Sequence, residues 1–417
     1  MRICQCRTGR VTQEQTVIDK QQLRNGSEET VRIAVTPKRS YGSEYSSEVS
    51  RILSRDDVRK AHDFCRRLPG YASTPLTEFP ELANENKVAS VRIKDEGQRT
   101  PTYSFKVLGP PYALACQLLS RAGQTNRNSV EVAGGMLRAD LQHFTACAAT
   151  SGNHGRALAW ASMQFGCQCR IYMPESTGVF REEQIRQFGA TTVRVPGTYD
   201  EAVERSARDA ERHSYVLVGN GVQPDSDVLR HNIHGYSTVG EELVSSPLLD
   251  TPPTHVFVPA GGGSLAAAVT GRLWMEYGSR RPKIVVVQPH AADSAYQSCL
   301  QSKCVPAEGS LATLMDGLSV QELATDAWKI LRTGAFAFIT IGDDVALQVL
   351  KRCHQDRLIS VGETGIATIA GFVAAAADSD VRSQLELNGS SRVVLIATEG
   401  ITDPSVLQSL IGPKICK

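Results

Sequence analysis

HFTACAATSGNHGRALAWASMQFGCQCRIYMP, residues 143–174, reads as a strand, a tight turn, a helix and a second strand. "HFTACAAT" (143–150) is short and apolar, "RALAWASMQFG" (156–166) carries good helix formers, and "CQCRIYMP" (167–174) alternates Cys167, Cys169, Ile171 and Met173 onto one face. Two strands joined by a crossover helix must lie parallel, so this stretch predicts an α/β fold with a parallel sheet. Thr150, Ser151, Gly152 and Asn153 fill the turn between the strand and the helix. Hydroxyls and backbone N–H groups at the head of a helix form a ready anion site.

The same alternation runs in both directions. Upstream, 89–97 reads as a strand and 105–122 as a helix. Downstream come a helix at 179–188, a strand at 191–196, a helix at 199–213 and a strand at 215–220. The pattern resumes with strand 254–259, helix 264–277, strand 283–289, a mixed segment 306–340, helices 343–353 and 364–377, and strand 392–398. With 417 residues the chain exceeds what one core normally serves. The expected division is a partly mobile N-terminal extension over 1–50, a large domain from 51–108 and 222–417, and a small α/β domain over 109–221.

Composition narrows the class. Lys+Arg 45 against Asp+Glu 44 leaves a net charge of +1 without a long single-sign run, which recommends neither nucleic acid nor a membrane surface as partner. The N-terminus "MRICQCRTGRVTQEQ" lacks the apolar run of a signal peptide, and no stretch near 18 uninterrupted apolar residues follows, so a cytoplasmic location is expected. Eleven scattered cysteines fit a reducing compartment. The CxC pairs Cys4/Cys6 and Cys167/Cys169 have no companions at zinc spacing, and no metal site is expected.

Five segments, weak singly, have one chemistry when taken in order. Lys106 in "TYSFKVLGPP" is flanked by Phe105, Val107 and Leu108, a setting that desolvates the ammonium and suits a lysine that forms a Schiff base. In "PAGGGSLAAAV" (259–269), Gly261, Gly262 and Gly263 let backbone N–H groups crowd a phosphate, with Ser264 adding a hydroxyl at the helix start. There is no Lys-Ser/Thr of a P-loop and no GxGxxG with a downstream acid. Asn153 suits a phenolic oxygen, and the Thr150–Gly152 turn suits a substrate carboxylate. Glu363 in "GETGIATIAGF" (362–372) is placed either over a ring or as an acid ahead of a helix N-terminus. Thr398, ending an apolar strand, offers a neutral hydroxyl to a pyridine nitrogen. His154 is read as a packing residue at the start of its helix in preference to a base. The set describes a site for pyridoxal 5'-phosphate, and a hydroxyl at the pyridine nitrogen favours rapid expulsion of a β-leaving group.

The stretches "YASTPLTEFPELANENKVASVRIKDEG", "FKVLG", "ATSGNHGRALAWAS", "MPESTGVFREEQIRQFGATTVRVPGTYDEAV", "MDGLSVQE" and "ATEGITDP" resemble the diaminopropionate ammonia-lyase family over roughly residues 70–405. That family lies within the fold-type II pyridoxal phosphate enzymes, the tryptophan synthase β-like group. The resemblance implies two parallel-sheet α/β domains with the cofactor between them, Tyr199 close to the substrate, and a homodimer. It also implies α,β-elimination on a small β-substituted α-amino acid to give a 2-oxo acid and ammonia. Two departures stand out. The family's "TDGNHG" is "TSGNHG" here, and a second acidic position near the substrate corresponds approximately to Asn220. Ser151 makes the loop similar to that of serine and threonine dehydratases and serine racemase, with the serine as a candidate acid/base on the face opposite Lys106. β-Replacement synthase and serine/threonine dehydratase activities therefore stand as alternatives, and a catalytically silent regulatory homologue stands behind them.

Overall fold

Val256, Phe257 and Val258, like Ile284 to Val287, are buried without alternation, which happens when helices cover both faces of a sheet. The computed structural model describes residues 30–124, 126–219 and 226–412. Among these, the strands are β1 (Val31–Val35), β2 (Leu76–Glu78), β3 (Ser90–Asp95), β4 (Thr145–Ala149), β5 (Gln168–Pro174), β6 (Thr191–Val195), β7 (Val216–Leu217), β8 (His255–Pro259), β9 (Lys283–Pro289), β10 (Ala337–Ile341) and β11 (Arg392–Ala397). They form a seven-stranded sheet in the order β1-β10-β9-β8-β11-β3-β2 and a four-stranded sheet in the order β6-β5-β4-β7. The smaller sheet is parallel throughout; the larger is parallel except for its two edge strands.

The opening strand–helix–strand stretch folds as β4, the helix Asn153–Phe165 and β5. Cys167, Cys169, Ile171 and Met173 enter one core while Tyr172 enters another, as alternation along a strand requires. Cys4, Cys6 and the rest of residues 1–29 of the N-terminal extension lie outside the described residues. From Val31 onward the extension is structured: β1 pairs antiparallel with β10, from Val31 opposite Ile341 to Val35 opposite Ala337. The mixed segment resolves into the helix Thr325–Gly334 and β10.

One long element escapes the sequence pattern. The helix Asp227–Val244 contains Gly, Asn, Ser, Thr and two His, all mediocre or poor helix formers, yet much of its surface is buried. Gly235 explains part of that composition, because a Cβ there would run into the Leu108 carbonyl oxygen. The ring of Tyr236 likewise occupies the space a side chain at Gly109 would need. Packing, not propensity, makes this helix, and it presses directly on the segment that carries Lys106.

The same helix anchors a buried ion network. Glu242 accepts from Lys94 Nζ at 2.6 Å, Arg99 Nη2 at 2.8 Å and the Tyr71 hydroxyl at 2.7 Å. Arg99 also donates from Nε to Glu96 at 2.5 Å. Burial pushes the Glu242 carboxyl up, but Arg99 and then Lys94 outweigh it and hold the group down to about 2. Glu242→Ala is expected to destabilise the protein by about 3–5 kcal/mol in urea unfolding, because two buried cations lose their shared counter-charge. In the native protein the contribution of Glu242 is complete above the ordinary carboxyl range and is lost as pH falls through about 2. Between Glu96 and Arg99, the Gly97 backbone touches Gly400, so the network supports the loop that follows β11.

Candidate active site

The parallel strands aim their carboxyl ends at one region, where an α/β sheet places its ligands. Thr150 follows β4, Ala260 follows β8 and Thr398 follows β11. Lys106 sits on a 3-10 turn, Phe105–Val107, and Ser104 Oγ accepts from its backbone N–H at 3.4 Å. That turn is tied to the end of β11. Phe105 N–H donates to the Thr398 carbonyl at 3.2 Å, Gly400 N–H donates to the Tyr103 carbonyl at 3.0 Å, and Ser104 and Glu399 form an antiparallel bridge. Lys106 and Thr398 are therefore neighbours through the backbone.

The Lys106 ammonium lies 4.9 Å from the ring centroid of Phe105 and 5.8 Å from that of Tyr236. Burial lowers its pKa to about 8, with the Glu399 carboxylate pulling the other way. The shift brings the neutral form of Lys106 much nearer to neutral pH than that of an ordinary lysine. A nucleophilic amine is thus available at neutral pH.

Asn153 opens its helix behind Gly152. Its side-chain N–H donates to Glu399, and its carbonyl oxygen accepts from Arg156 Nη1 at 3.3 Å. In the turn before it, the Gly152 N–H donates to Thr150 Oγ1 at 3.3 Å, and Ser151 is half-buried. His154 donates from Nε2 to the Val218 carbonyl at 2.6 Å, and burial together with Lys106 lowers its pKa to about 4. It is a neutral clamp between its helix and the residue after β7, in line with the packing reading. Tyr199 begins the helix Tyr199–His213 and donates its hydroxyl to the Ala149 carbonyl at 3.1 Å, beside the same turn. Asn220 lies outside the described residues.

Gly261, Gly262 and Gly263 form the turn between β8 and the helix Ser264–Tyr277. Gly263 takes φ +83°, and a Cβ at Gly261 would stand 2.9 Å from Val320. The 317–323 part of the mixed segment therefore packs over this turn. Thr398 is 2% exposed, and its Oγ1 is buried without a hydrogen-bond partner. Glu363 is buried in the loop ahead of the helix Ala367–Ala377 and faces Arg181 at 3.6 Å. Burial raises its carboxyl while Arg181 opposes. Arg181 also reaches Asp316 at 2.6 Å and Asp403 at 3.7 Å, joining the helix Val179–Arg186 to three carboxylates that lie C-terminal to β9 in sequence.

The family described as pyridoxal-phosphate dependent enzyme matches residues 67–399, a range that includes Lys106, Asn153, Gly261 to Ser264, Glu363 and Thr398. The chain belongs to that family. Among relatives, diaminopropionate ammonia-lyase of Escherichia coli strain K12 is 31% identical over 368 residues, covering 86% of this chain and 92% of the relative. Biosynthetic L-threonine dehydratase of Salmonella typhimurium is 25% identical over 76% of this chain and 56% of its own length. The holo structure of the Escherichia coli diaminopropionate ammonia lyase superposes with a TM-score of 0.81 at 28% identity, over 92% of this chain and 96% of that one. The fold is therefore that of the fold-type II pyridoxal phosphate enzymes, and pyridoxal 5'-phosphate is the cofactor of this family member. Glu399, Arg156 and Arg181 are the site residues that the sequence reading passed over.

Proposed function

We propose that this protein is a pyridoxal phosphate-dependent lyase that removes the α-proton and the β-substituent of a small α-amino acid, in the manner of diaminopropionate ammonia-lyase. The observation that carries the reading is the Thr398 hydroxyl, buried, without a partner, and fixed by backbone hydrogen bonds beside Lys106. A buried hydroxyl lacking a partner costs free energy, so a ligand atom that completes it is strongly favoured. The groups around it suit the cofactor. Gly261 to Ser264 would hold the phosphate, Asn153 the phenolic oxygen, Thr398 the pyridine nitrogen and Lys106 the carbonyl carbon, with Glu363 at the margin. When bound, pyridoxal phosphate supplies an electron sink for the carbanion at Cα.

The chain's own residues do the rest. Thr150, Ser151 and Gly152 orient the substrate carboxylate at the helix start. Lys106, with its lowered pKa, takes the proton from Cα on its own face. Tyr199 borders the turn that holds the substrate, and the 317–323 segment keeps water from the phosphate side. The released enamine hydrolyses to a 2-oxo acid and ammonia. We take the protein to be a cytoplasmic homodimer divided into the two domains set out from the sequence. The threonine dehydratase likeness and Ser151 support a dehydratase as the second reading.

Ser151 yields a stereochemical expectation. Lys106 reaches Cα from one face only, and a serine hydroxyl is a far weaker base than a carboxylate at neutral pH. L-Diaminopropionate should therefore be consumed much faster than the D-isomer, and Ser151→Asp should raise activity on the D-isomer. A coupled assay for pyruvate and ammonia across β-substituted amino acids checks both. Comparable rates on D- and L-diaminopropionate would overturn the Ser151 argument; turnover of hydroxyl- or sulfur-substituted L-amino acids alone would replace the ammonia-lyase reading with the dehydratase or β-replacement one.

A further inference from the structure

One residue beyond Thr398 lies Glu399, which together with Arg156 flanks Asn153 and to which the proposed chemistry assigns no role. Glu399 is 6% exposed. One of its carboxylate oxygens accepts from the Asn153 side-chain amide, and the other accepts from the Thr364 backbone N–H at 3.3 Å. On the opposite side of Asn153, Arg156 is 5% exposed and donates from Nη1 to the amide oxygen at 3.3 Å. Arg156 Nε is itself buried without a partner, so holding this guanidinium against Asn153 carries a desolvation cost.

An asparagine amide has an acceptor end and an end with two donors, and its orientation is set by what faces each. A guanidinium can only donate, so it selects the amide oxygen. A carboxylate oxygen accepts, so it selects the amide nitrogen. Turning the amide over would set donor against donor and acceptor against acceptor. Burial, then the neighbouring Glu363, raises the Glu399 carboxyl to about 8; in its protonated form it still accepts at its carbonyl oxygen, and the orientation is then set by Arg156, which can only donate. With the oxygen and one N–H committed, Asn153 keeps a single N–H to give.

We propose that Glu399 and Arg156 are positioning residues that grip the Asn153 amide from both ends, so that it presents an N–H and never its oxygen to the phenolic oxygen of the cofactor. The proposal rests on the reading of Asn153 as the neighbour of that oxygen. The sequence gives no hint of it, since Glu399 follows a strand in "ATEG" and Arg156 sits in a helix, both ordinary settings for solvated charges.

The test is a double-mutant cycle on cofactor affinity, read by titrating apoprotein with pyridoxal phosphate and recording the visible absorbance maximum. Asn153→Ala and Glu399→Leu are each expected to weaken affinity by about tenfold and to shift the maximum, whereas the double variant should be no more than about threefold weaker than Asn153→Ala alone. Glu399→Gln, whose amide oxygen can still accept from Asn153, should stay within about fivefold of wild type and keep its absorbance maximum. Additive losses, giving about a hundredfold in the double variant, would overturn the grip while leaving the placement of Asn153 intact. Wild-type affinity and spectrum in Asn153→Ala would overturn the placement and the grip together. Thermal melts of the apoproteins check folding; if Glu399→Leu does not fold, Arg156→Met in the two Asn153 backgrounds decides by the same criterion.

Discussion

Lys106→Ala is expected to leave a folded protein without the visible band of covalently held pyridoxal phosphate and with turnover lowered by at least about 10³-fold. The size follows from two duties in one side chain, attachment of the cofactor and removal of the α-proton. The competing candidate is Lys94, which is 1% exposed, and its environment disqualifies it. Lys94 donates to the Thr74 carbonyl at 2.7 Å and to Glu242 at 2.6 Å, which fixes it as a structural cation. Lys106 makes no ion pair among the described residues, lies against two aromatic rings and has its pKa lowered to about 8 by burial. It can lose its charge without leaving a carboxylate stranded. Reduction of the holoenzyme with borohydride followed by peptide mapping should find the cofactor on Lys106. A visible band and full turnover surviving in Lys106→Ala would move the attachment to another lysine.

What could be read without coordinates follows from how local each signal is. The strand–turn–helix segments at 143–174 and 254–277 declare themselves because apolar runs, glycines and helix formers fall in order within one short stretch. Lys106 could be singled out because its apolar flanks are its neighbours in sequence, and desolvation is what lowers its pKa. Thr398 could be chosen because it ends a continuous apolar strand. The groups that escaped act across the fold. Glu399 and Asn153 are 246 positions apart, and only the meeting of β11 with the helix after β4 makes them partners. Arg181 finds Asp316, Glu363 and Asp403 in the same nonlocal way, so Glu363 has a partner that no spacing rule announces. The helix Asp227–Val244 was illegible for the opposite reason: its local composition argues against a helix, and burial against Leu108 and Gly109 overrides it.

The phosphate cradle allows a perturbation that separates ligand binding from folding. A Cβ at Gly261 would crowd Val320 at 2.9 Å, and Gly263 holds φ +83°, so substitutions there would strain the protein whether or not a cofactor binds. Gly262 differs. A Cβ on it would meet nothing nearer than the Glu322 carbonyl oxygen and Val320 Cγ1, both at 3.9 Å, which is ordinary contact. Gly262→Asp should therefore fold with an apoprotein melting temperature close to that of wild type. Its carboxylate would then stand in the turn at the head of the helix Ser264–Tyr277, where a dianionic phosphate has to approach backbone N–H groups. Like charges at such range repel strongly, and the side chain also competes for the same donors. Cofactor affinity is expected to fall by at least about 100-fold, corresponding to roughly 2.7 kcal/mol, as measured by titration of the apoprotein. Pyridoxal without its phosphate should discriminate much less between the two proteins, because the repulsion needs the dianion. If Gly262→Asp retains pyridoxal phosphate through dialysis as wild type does, the glycine turn serves some other anion, and the phosphate must be sought at a different helix start.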